Sequence, residues 1–247
     1  MSEILPAVRL DGVRKAFRSR GKPRSLYRTL TAWLGRGADA DATLLALDGL
    51  HFTVAPGERV GVIGDNGAGK TTLLRTIAGL YRPSAGQVEV RGEIALVTGL
   101  GIGMLDELSV EDNIYLYGAI NGMSREELAE RIDEIVEWAE LARFRTARLK
   151  TLSTGMRSRL AFSAVRHVDA EVYLMDEVLS AGDRNFKVKC EAVFAAFKGN
   201  GRTFVVTSHD MEFVKKFCDK ALWLRNGRQM AYGEPAQVIE QYTAQRA

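Results

Sequence analysis

The sequence predicts an α/β core that carries a helical subdomain, and three observations lead to this fold class. A short apolar strand at 59–63 runs through a glycine-rich loop into a helix at 69–80. Two further buried strands flank a helix at 185–197. From 108 to about 168, apolar residues recur instead at helical spacing. Strands that alternate with helices indicate an α/β core, and the helical block indicates a subdomain.

The N-terminal part predicts one strand followed by an irregular segment. Residues 6–17, PAVRLDGVRKAF, have the pattern of a strand with polar interruptions. The pattern breaks over 18–43, whose first half is basic and whose end, GADADA, is small and acidic. We interpret 18–43 as a surface insertion with a short helix around 26–34.

Local signals predict the remaining elements. The Pro56-Gly57 turn joins two strands, and Asn226-Gly227 is typical of a two-residue hairpin turn. Ser124 and Glu127 have the spacing of a capping box, which predicts a helix start inside the helical block. A last helix begins near Pro235. The capped helix carries one apolar stripe, formed by Leu128, Ile132, Ile135 and Ala139.

Composition narrows the class of protein. A chain of 247 residues is long enough for one large domain, and its net charge of +3 is too small to indicate nucleic-acid binding. Cys190 and Cys218 lack metal-ligand spacing and fit the reduced thiols of a cytoplasmic protein. The N-terminus lacks the pattern of a secretory signal, and no stretch approaches the roughly 18 apolar residues of a membrane span. We expect another chain to supply the span if the protein acts at a membrane.

The stretch GDNGAGKTT, residues 64–72, has the pattern G-x-x-x-x-G-K-[ST] of a phosphate-binding loop. It stands after a buried strand and before a helix, as such a loop must. Lys70 would reach the outer phosphates of ATP, and the Thr71 hydroxyl would ligate Mg²⁺. The alternative is a glycine-rich turn beside a solvated lysine. The predicted nucleotide-binding residues of the loop are Gly64, Asp65, Asn66, Gly67, Ala68, Gly69, Lys70, Thr71 and Thr72.

Polar side chains follow two other buried strands. Asp176 and Glu177 end one of them, where a carboxylate is costly unless it meets a cation. Beside a phosphate loop, Asp176 fits the aspartate on the Mg²⁺ side, and Glu177 fits the general base that orients water. His209 ends the other strand, either as a hydrogen-bonded edge residue or as a group that holds the γ-phosphate and water in line. We prefer the catalytic role because the strand order brings these ends to one sheet edge.

The stretch LSTGM, residues 152–156, is a polar turn that runs straight into an apolar-periodic helix. Its hydroxyl, its backbone N–H groups and the positive end of the helix dipole suit an anion. Taken alone, Ser153 would be an ordinary helix N-cap. The turn lies far along the chain from Lys70, so the source of its anion is an open question at this point.

In order and spacing, GDNGAGKTT, LSTGM, LMDE and SH resemble the nucleotide-binding subunit of an ABC transporter, over nearly the whole chain. The resemblance implies a P-loop NTPase core with an antiparallel β region and an inserted helical subdomain at 106–168. It implies a single domain over 1–247 that ends in a C-terminal helix at 234–247.

The resemblance also implies a head-to-tail homodimer with two ATP molecules and two equivalent sites. In that family the signature turn contacts the γ-phosphate of ATP held by the second copy, which would answer the question of the anion. Asp183 would lie in the loop that crosses the dimer interface. The signature residues that act in trans are Ser153, Thr154, Gly155 and Met156.

Finer features resemble the subunits that export lipid-linked polysaccharides: O-antigen, capsule and teichoic acid. They are the run at 175–190, the insertion at 18–43, and LSTGM in place of L-S-G-G-Q. The resemblance implies an aromatic side chain that stacks on adenine, either Phe17 or Tyr27. Residues 97–106 lack the Gln that usually helps to hold Mg²⁺, which leaves its second protein ligand unassigned.

The expected function is Mg²⁺-dependent ATP hydrolysis that drives export of a lipid-linked polysaccharide. Two copies of a polytopic transmembrane subunit would carry the polymer, and the homodimer would lie on the cytoplasmic face of the inner membrane as a peripheral protein. No nucleic-acid partner is expected. Two rivals are an ABC ATPase subunit for a small solute and a soluble ABC ATPase that acts on nucleic acid or ribosomes.

Overall fold

The computed structural model describes residues 5–18, 43–98, 103–177 and 184–245. Several predictions fall outside this part of the chain: the short helix at 26–34, Tyr27 as the rival adenine contact, and Asp183 as the dimer-loop residue.

A three-stranded antiparallel sheet forms the first layer. Its strands are β1 (Val8–Arg18), β2 (Thr43–Val54) and β4 (Ala85–Val90), in the order β2-β1-β4. In β1, buried Val8 and Leu10 alternate with exposed Arg9 and Asp11, which is the period of a sheet with one covered face. This sheet is the antiparallel β region that the sequence predicts.

A six-stranded sheet forms the centre. Its strands are β3 (Arg59–Ile63), β5 (Ile94–Thr98), β6 (Val172–Asp176), β7 (Thr203–Thr207), β8 (Lys220–Arg225) and β9 (Arg228–Gly233), in the order β5-β6-β7-β3-β8-β9. All neighbours run parallel except β8 and β9, which form the predicted hairpin. The parallel strands β3 and β7 are buried throughout and apolar at their centres, because both faces of the sheet are covered. The carboxyl ends of β6, β7 and β3 therefore lie side by side.

The described helices are α1 (Lys70–Ile77), α2 (Val110–Ile120), α3 (Arg125–Trp138), α4 (Thr154–Val165), α5 (Arg184–Gly199), α6 (Met211–Phe217) and α7 (Pro235–Ala244). Two single 3₁₀ turns, Ala142–Phe144 and Leu149–Thr151, link α3 to α4. The helix predicted at 69–80 is shorter than expected, because Gly79 adopts a positive φ of 75° that stops it. In these ranges of the chain, no helix is both long enough and apolar enough to cross a membrane.

The predicted helical block is present as α2, α3 and α4. The capping box at the start of α3 is confirmed: the Glu127 N–H donates to Ser124 Oγ at 3.2 Å, and the Ser124 N–H donates to Glu127 Oε2 at 2.8 Å. All four residues of the predicted apolar stripe are buried. The block is therefore built around the face that its sequence period predicts.

An ion-pair bridge joins α4 to α5 at the end of α3. The Glu140 carboxylate accepts from Arg159 Nη1 at 2.7 Å and from Lys189 Nζ at 2.6 Å. Glu140 itself has a positive φ of 61°, in the helix-terminating position where glycine is preferred. Beneath the bridge, Phe162 of α4 and Phe186 of α5 pack edge to face, with ring centroids 6.3 Å apart. These contacts hold α4 and α5 against each other.

Candidate functional site

The loop at 64–72 leaves β3 and enters α1 between the backbones of two other strands. Gly64 has a φ of 147°, and a Cβ there would lie 2.3 Å from the Leu224 carbonyl oxygen of β8. Gly69 has a φ of 106°, and a Cβ there would lie 2.6 Å from the Ala46 carbonyl oxygen of β2. Both the dihedral angles and these close approaches require glycine. The motif glycines thus seat the loop between the two sheets.

Lys70 is buried at the start of α1, with 6% of the residue exposed. Its Nζ donates to the Gly64 carbonyl at 2.8 Å and to the Asp65 carbonyl at 3.2 Å. Burial lowers the pKa of the Lys70 ammonium, and nearby Glu177 opposes this shift. The ammonium lies 3.4 Å from His209 Nε2 and 4.0 Å from Glu177 Oε1. The Lys70 ammonium therefore lies beside Glu177 and His209, the side chains that follow β6 and β7.

Asp176 lies at the end of β6 beside the start of α1. Thr71 Oγ1 donates to Asp176 Oδ2 at 2.7 Å, and Thr207 Oγ1 donates to Asp176 Oδ1 at 2.7 Å. Two oxygen groups, a hydroxyl and a carboxylate, are thus in contact where the sequence predicts a metal. Mg²⁺ takes oxygen ligands and is usually held by only one or two carboxylates plus phosphates, so this donor set fits the ion.

Glu177 and His209 form a pair beside the loop. Glu177 Oε1 lies 2.8 Å from His209 Nε2, and both side chains are partly exposed. The Glu177 backbone has a positive φ of 52°. Asp210, the next residue after His209, accepts from the Phe213 N–H at 3.0 Å as the N-cap of α6 and forms an ion pair with Lys187. The cap fixes the chain that carries His209.

A cavity of about 620 Å³ lies over the loop. Phe17 is in its wall, where its ring packs edge-on against Tyr81 with centroids 5.3 Å apart, and Lys15 Nζ lies 5.0 Å from its centre. The predicted adenine contact is therefore placed near the predicted phosphate contacts. The full wall consists of Phe17, Leu44, Leu45, Ala46, Asn66, Gly67, Ala68, Gly69, Lys70, Thr71, Thr72, Glu177 and Asn226.

Some wall residues are absent from the sequence prediction. Leu44 and Leu45 reach the cavity because Phe17 pairs with Leu44 across β1 and β2. Asn226 reaches it because the Gly227 N–H donates to the Ala68 carbonyl at 2.9 Å. Thr207 lies behind the wall, on Asp176, and is likewise absent from the sequence prediction, although a hydroxyl in a buried strand indicates a hydrogen-bond partner.

The signature turn, residues 153–156, lies outside the wall of this cavity. Ser153 is the exposed N-cap of α4, and its Oγ accepts from the Met156 N–H at 3.3 Å. Arg157 Nη1 pairs with Asp106 Oδ1 at 2.7 Å, which ties the turn to the start of the helical block. Among the described residues, no member of the turn lines the cavity around Lys70.

A larger cleft, of about 800 Å³, lies at the opposite edge of the central sheet. Gly57, Glu171 and Arg202 line it, each close to the amino end of a parallel strand. None of the predicted site residues lines this cleft. Ligands of α/β sheets bind outside the carboxyl ends of the strands, so the smaller cavity is the candidate site.

A family model described as ABC transporter matches residues 47–180, which is more than half of the chain. The chain belongs to the ABC transporter family. This ABC chain is 38% identical to the O-antigen export system ATP-binding protein RfbB of Myxococcus xanthus, over 98% of the chain and 56% of that protein. It is also 38% identical to RfbB of Klebsiella pneumoniae, over 80% of each, and 36% identical to the teichoic acids export ATP-binding protein TagH of Lactococcus lactis, over 91% of the chain and 46% of that protein. The chain thus spans about half the length of two of these relatives.

Solved ABC structures share the fold. The ATP-binding cassette MJ0796, in a dimeric post-hydrolysis state with ADP and Pi, matches with a TM-score of 0.74 and 22% identity, over 92% of this chain and 98% of that one. An ATP-binding subunit of an ABC transporter matches with a TM-score of 0.73 and 21% identity, over 96% and 93%. These matches confirm the predicted P-loop NTPase core of the ABC type.

Proposed function

We propose that this chain is the ATP-hydrolysing subunit of an ABC transporter that exports a lipid-linked polysaccharide across the cytoplasmic membrane. One observation carries the enzymatic part: Lys70, Asp176, Glu177 and His209 converge beside a 620 Å³ cavity at the carboxyl ends of three adjacent strands. The names of the relatives, which concern O-antigen and teichoic acid export, support the substrate class.

The loop would hold the phosphates of ATP. Lys70 would exchange its bonds to loop carbonyls for the outer phosphates. The first N–H groups of α1 precede its first internal hydrogen bond, Leu73 N–H to the Gly69 carbonyl, and would donate to phosphate oxygens. Phe17 would stack on adenine at the other end of the cavity.

Thr71 and Asp176 would hold Mg²⁺, because their oxygen atoms are already in contact. The ion, when bound, neutralises charge on the phosphate oxygens. Glu177 would then take the proton of the attacking water as general base, and His209 would orient phosphate and water through its ring nitrogen. The 2.8 Å contact between Glu177 and His209 supports their joint action.

The second half of each site would come from another copy of the chain. Ser153, Thr154, Gly155 and Met156 lie away from the cavity of their own chain, and the N-terminus of α4 offers N–H groups to an anion. A head-to-tail homodimer would bring this turn to the γ-phosphate held by the partner. Closure on ATP and reopening after hydrolysis would drive the transport cycle.

The chain would act as a single nucleotide-binding domain over 1–247, peripheral to the cytoplasmic face of the inner membrane and without a nucleic-acid partner. The homodimer would bind two copies of a polytopic transmembrane subunit. The helical subdomain at 106–168 and the loop at 97–106 would make the contacts. Exposed Leu105 and Ile120 support this docking, since large apolar side chains on a surface favour protein contacts. The insertion at 18–43 and the C-terminal helix at 234–247 would remain parts of the same domain.

The Lys70→Ala variant tests the phosphate site. We expect its free energy of ATP binding to weaken by about 2–5 kcal/mol, because a charge-assisted contact is lost. Isothermal titration with ATP measures the affinity. Lys220→Ala is the matched control, since Lys220 pairs with Glu58 at the amino end of β8, and it should bind ATP like the wild type. Equal affinity of the Lys70→Ala variant and the wild type would reject the assignment of the loop.

Purification from membranes tests the transport partner. We expect the tagged chain to copurify from detergent-solubilised membranes with a polytopic membrane protein in equal amounts, and the complex to hydrolyse ATP. Recovery with ribosomes or nucleic acid would instead favour a soluble ABC ATPase. Stimulation of hydrolysis by a small solute, and not by the lipid-linked polymer, would favour the small-solute transporter.

A further inference from the structure

Thr207 ends β7 and is 1% exposed, yet its hydroxyl contacts the carboxylate of Asp176 and the backbone of Glu177. Oγ1 donates its single proton to Asp176 Oδ1 at 2.7 Å. Its lone pairs accept the Glu177 N–H at 2.9 Å. The donor and acceptor of both hydrogen bonds are fixed, because a carboxylate only accepts and an amide N–H only donates.

The bond to Glu177 supports an unfavourable backbone conformation. A φ of 52° is disfavoured for any residue with a Cβ and persists only where its surroundings hold it. The Glu177 N–H donates to Thr207 Oγ1 and, at 3.3 Å, to the Thr207 carbonyl, so Thr207 contacts the backbone at this strained position. This conformation is the one in which Glu177 Oε1 reaches His209 Nε2.

The bond to Asp176 fixes the rotation of its carboxylate. With Oδ1 held by Thr207, the other oxygen, Oδ2, is the one that meets Thr71 Oγ1. Groups that hydrogen-bond to a metal ligand orient it, and their removal typically costs about 10- to 100-fold in metal affinity or activity. The parallel pairing of Asp176 with Thr207 places the hydroxyl where it can do this.

We propose that Thr207 is a positioning residue for the hydrolytic site, acting through Asp176 toward the metal and through the Glu177 N–H toward the general base. The inference rests on the proposed function, which assigns those two roles. Thr207 does not line the cavity, so we expect it to act through Asp176 and Glu177 and not on a ligand directly.

The test compares Thr207→Val, which keeps the shape and removes the hydroxyl, with Thr207→Ser, which keeps the hydroxyl. Thr203→Val is the matched control: Thr203 begins the same strand, is similarly buried, and its Oγ1 accepts the Gly57 N–H at 2.9 Å without contact to the site. Thermal unfolding of each variant reports whether it folds.

The first measurement needs neither nucleotide nor metal. Hydrogen exchange, followed by mass spectrometry, should show faster exchange of the Glu177 amide in Thr207→Val than in the wild type, Thr207→Ser or Thr203→Val. The second measurement is nucleotide binding with and without Mg²⁺. ATP affinity in EDTA should be unchanged in Thr207→Val, whereas the Mg²⁺ concentration at half-saturation should rise and kcat should fall, each by about 10- to 100-fold.

The outcomes separate the two hypotheses. A wild-type chain that neither binds nor hydrolyses ATP would reject the proposed function, while the exchange measurement would still test the contact to Glu177. The role of Thr207 would be overturned by a different result, in which the wild-type chain hydrolyses ATP. In that result Thr207→Val equals the wild type in amide exchange at Glu177, in Mg²⁺ dependence and in kcat. The role is also overturned if Thr207→Ser, or Thr203→Val, is impaired as much as Thr207→Val.

Discussion

Glu177→Gln is expected to bind ATP, to hydrolyse it very slowly and to accumulate as a dimer. The amide keeps the shape of the side chain and a polar contact to His209, but it cannot accept a proton from water. General-base catalysis typically contributes about 10²- to 10⁴-fold, so the loss of turnover should be of that order. Steady-state release of phosphate measures turnover, and size-exclusion chromatography with ATP measures the dimer.

Glu191→Gln is the control for this substitution. Glu191 lies on α5 and pairs with Lys216 at 2.7 Å, so the same change of charge occurs outside the cavity. It should hydrolyse ATP at the wild-type rate. Near-normal turnover by Glu177→Gln would remove this glutamate as the base and leave its contact to His209 without a catalytic role.

Ser153→Arg is expected to leave ATP binding by the monomer nearly intact and to abolish dimer closure and hydrolysis. The side chain is exposed and away from the cavity of its own chain. In the proposed dimer, the added bulk would fill the space needed by the γ-phosphate that the partner holds. The change also removes a helix cap, worth about 1 kcal/mol. Ser124→Arg removes the equivalent cap of α3 and should close and hydrolyse normally.

Mixed dimers distinguish action in trans from action in cis. A dimer of one Lys70→Ala chain and one Ser153→Arg chain places both lesions in one site if the turn acts in trans. The other site is then built from unaltered parts, and about half the wild-type amount of nucleotide should be occluded. If the turn acts in cis, each site carries one lesion and occlusion is lost.

A cross-link identifies the contact directly. Ser153→Cys is paired with a partner chain in which the buried Cys190 and Cys218 are replaced, and that partner holds a photoreactive γ-phosphate analogue. We expect the analogue to label the introduced thiol at position 153 across the interface. Labelling only within the chain that holds the analogue would contradict the proposed dimer.

The sequence predicts those features that depend on neighbours in the chain. The capping box at Ser124, the apolar stripe of α3 and the hairpin at Asn226-Gly227 follow from local spacing, and the structure has them. The phosphate loop is equally local, because its glycines and Lys70 lie within nine residues. The convergence of Lys70, Glu177 and His209 also follows from the sequence, once the order of the strands is anticipated.

Features that depend on tertiary pairing were not predicted. The Pro56-Gly57 turn joins two strands as expected, but those strands belong to different sheets. Leu44 enters the cavity wall only through its pairing with Phe17 across β1 and β2. Thr207 acquires its two partners only because β6 and β7 align it with Asp176. The spacing of residues along the sequence does not show which residues of different strands will pair.

The position of the loop between the two sheets links ligand binding to folding. The Gly227 N–H donates to the Ala68 carbonyl at 2.9 Å, and the Asp48 N–H donates to the Gly227 carbonyl at 2.8 Å, so the loop, β2 and the β8–β9 turn form one continuous set of bonds. A ligand that binds only the native loop stabilises the folded state, by about 2.7 kcal/mol at a hundred times its dissociation constant. Neither sheet can unfold without disrupting that loop, so ATP would raise the stability of both sheets together. The fraction of the chain that is folded would then rise with the concentration of nucleotide.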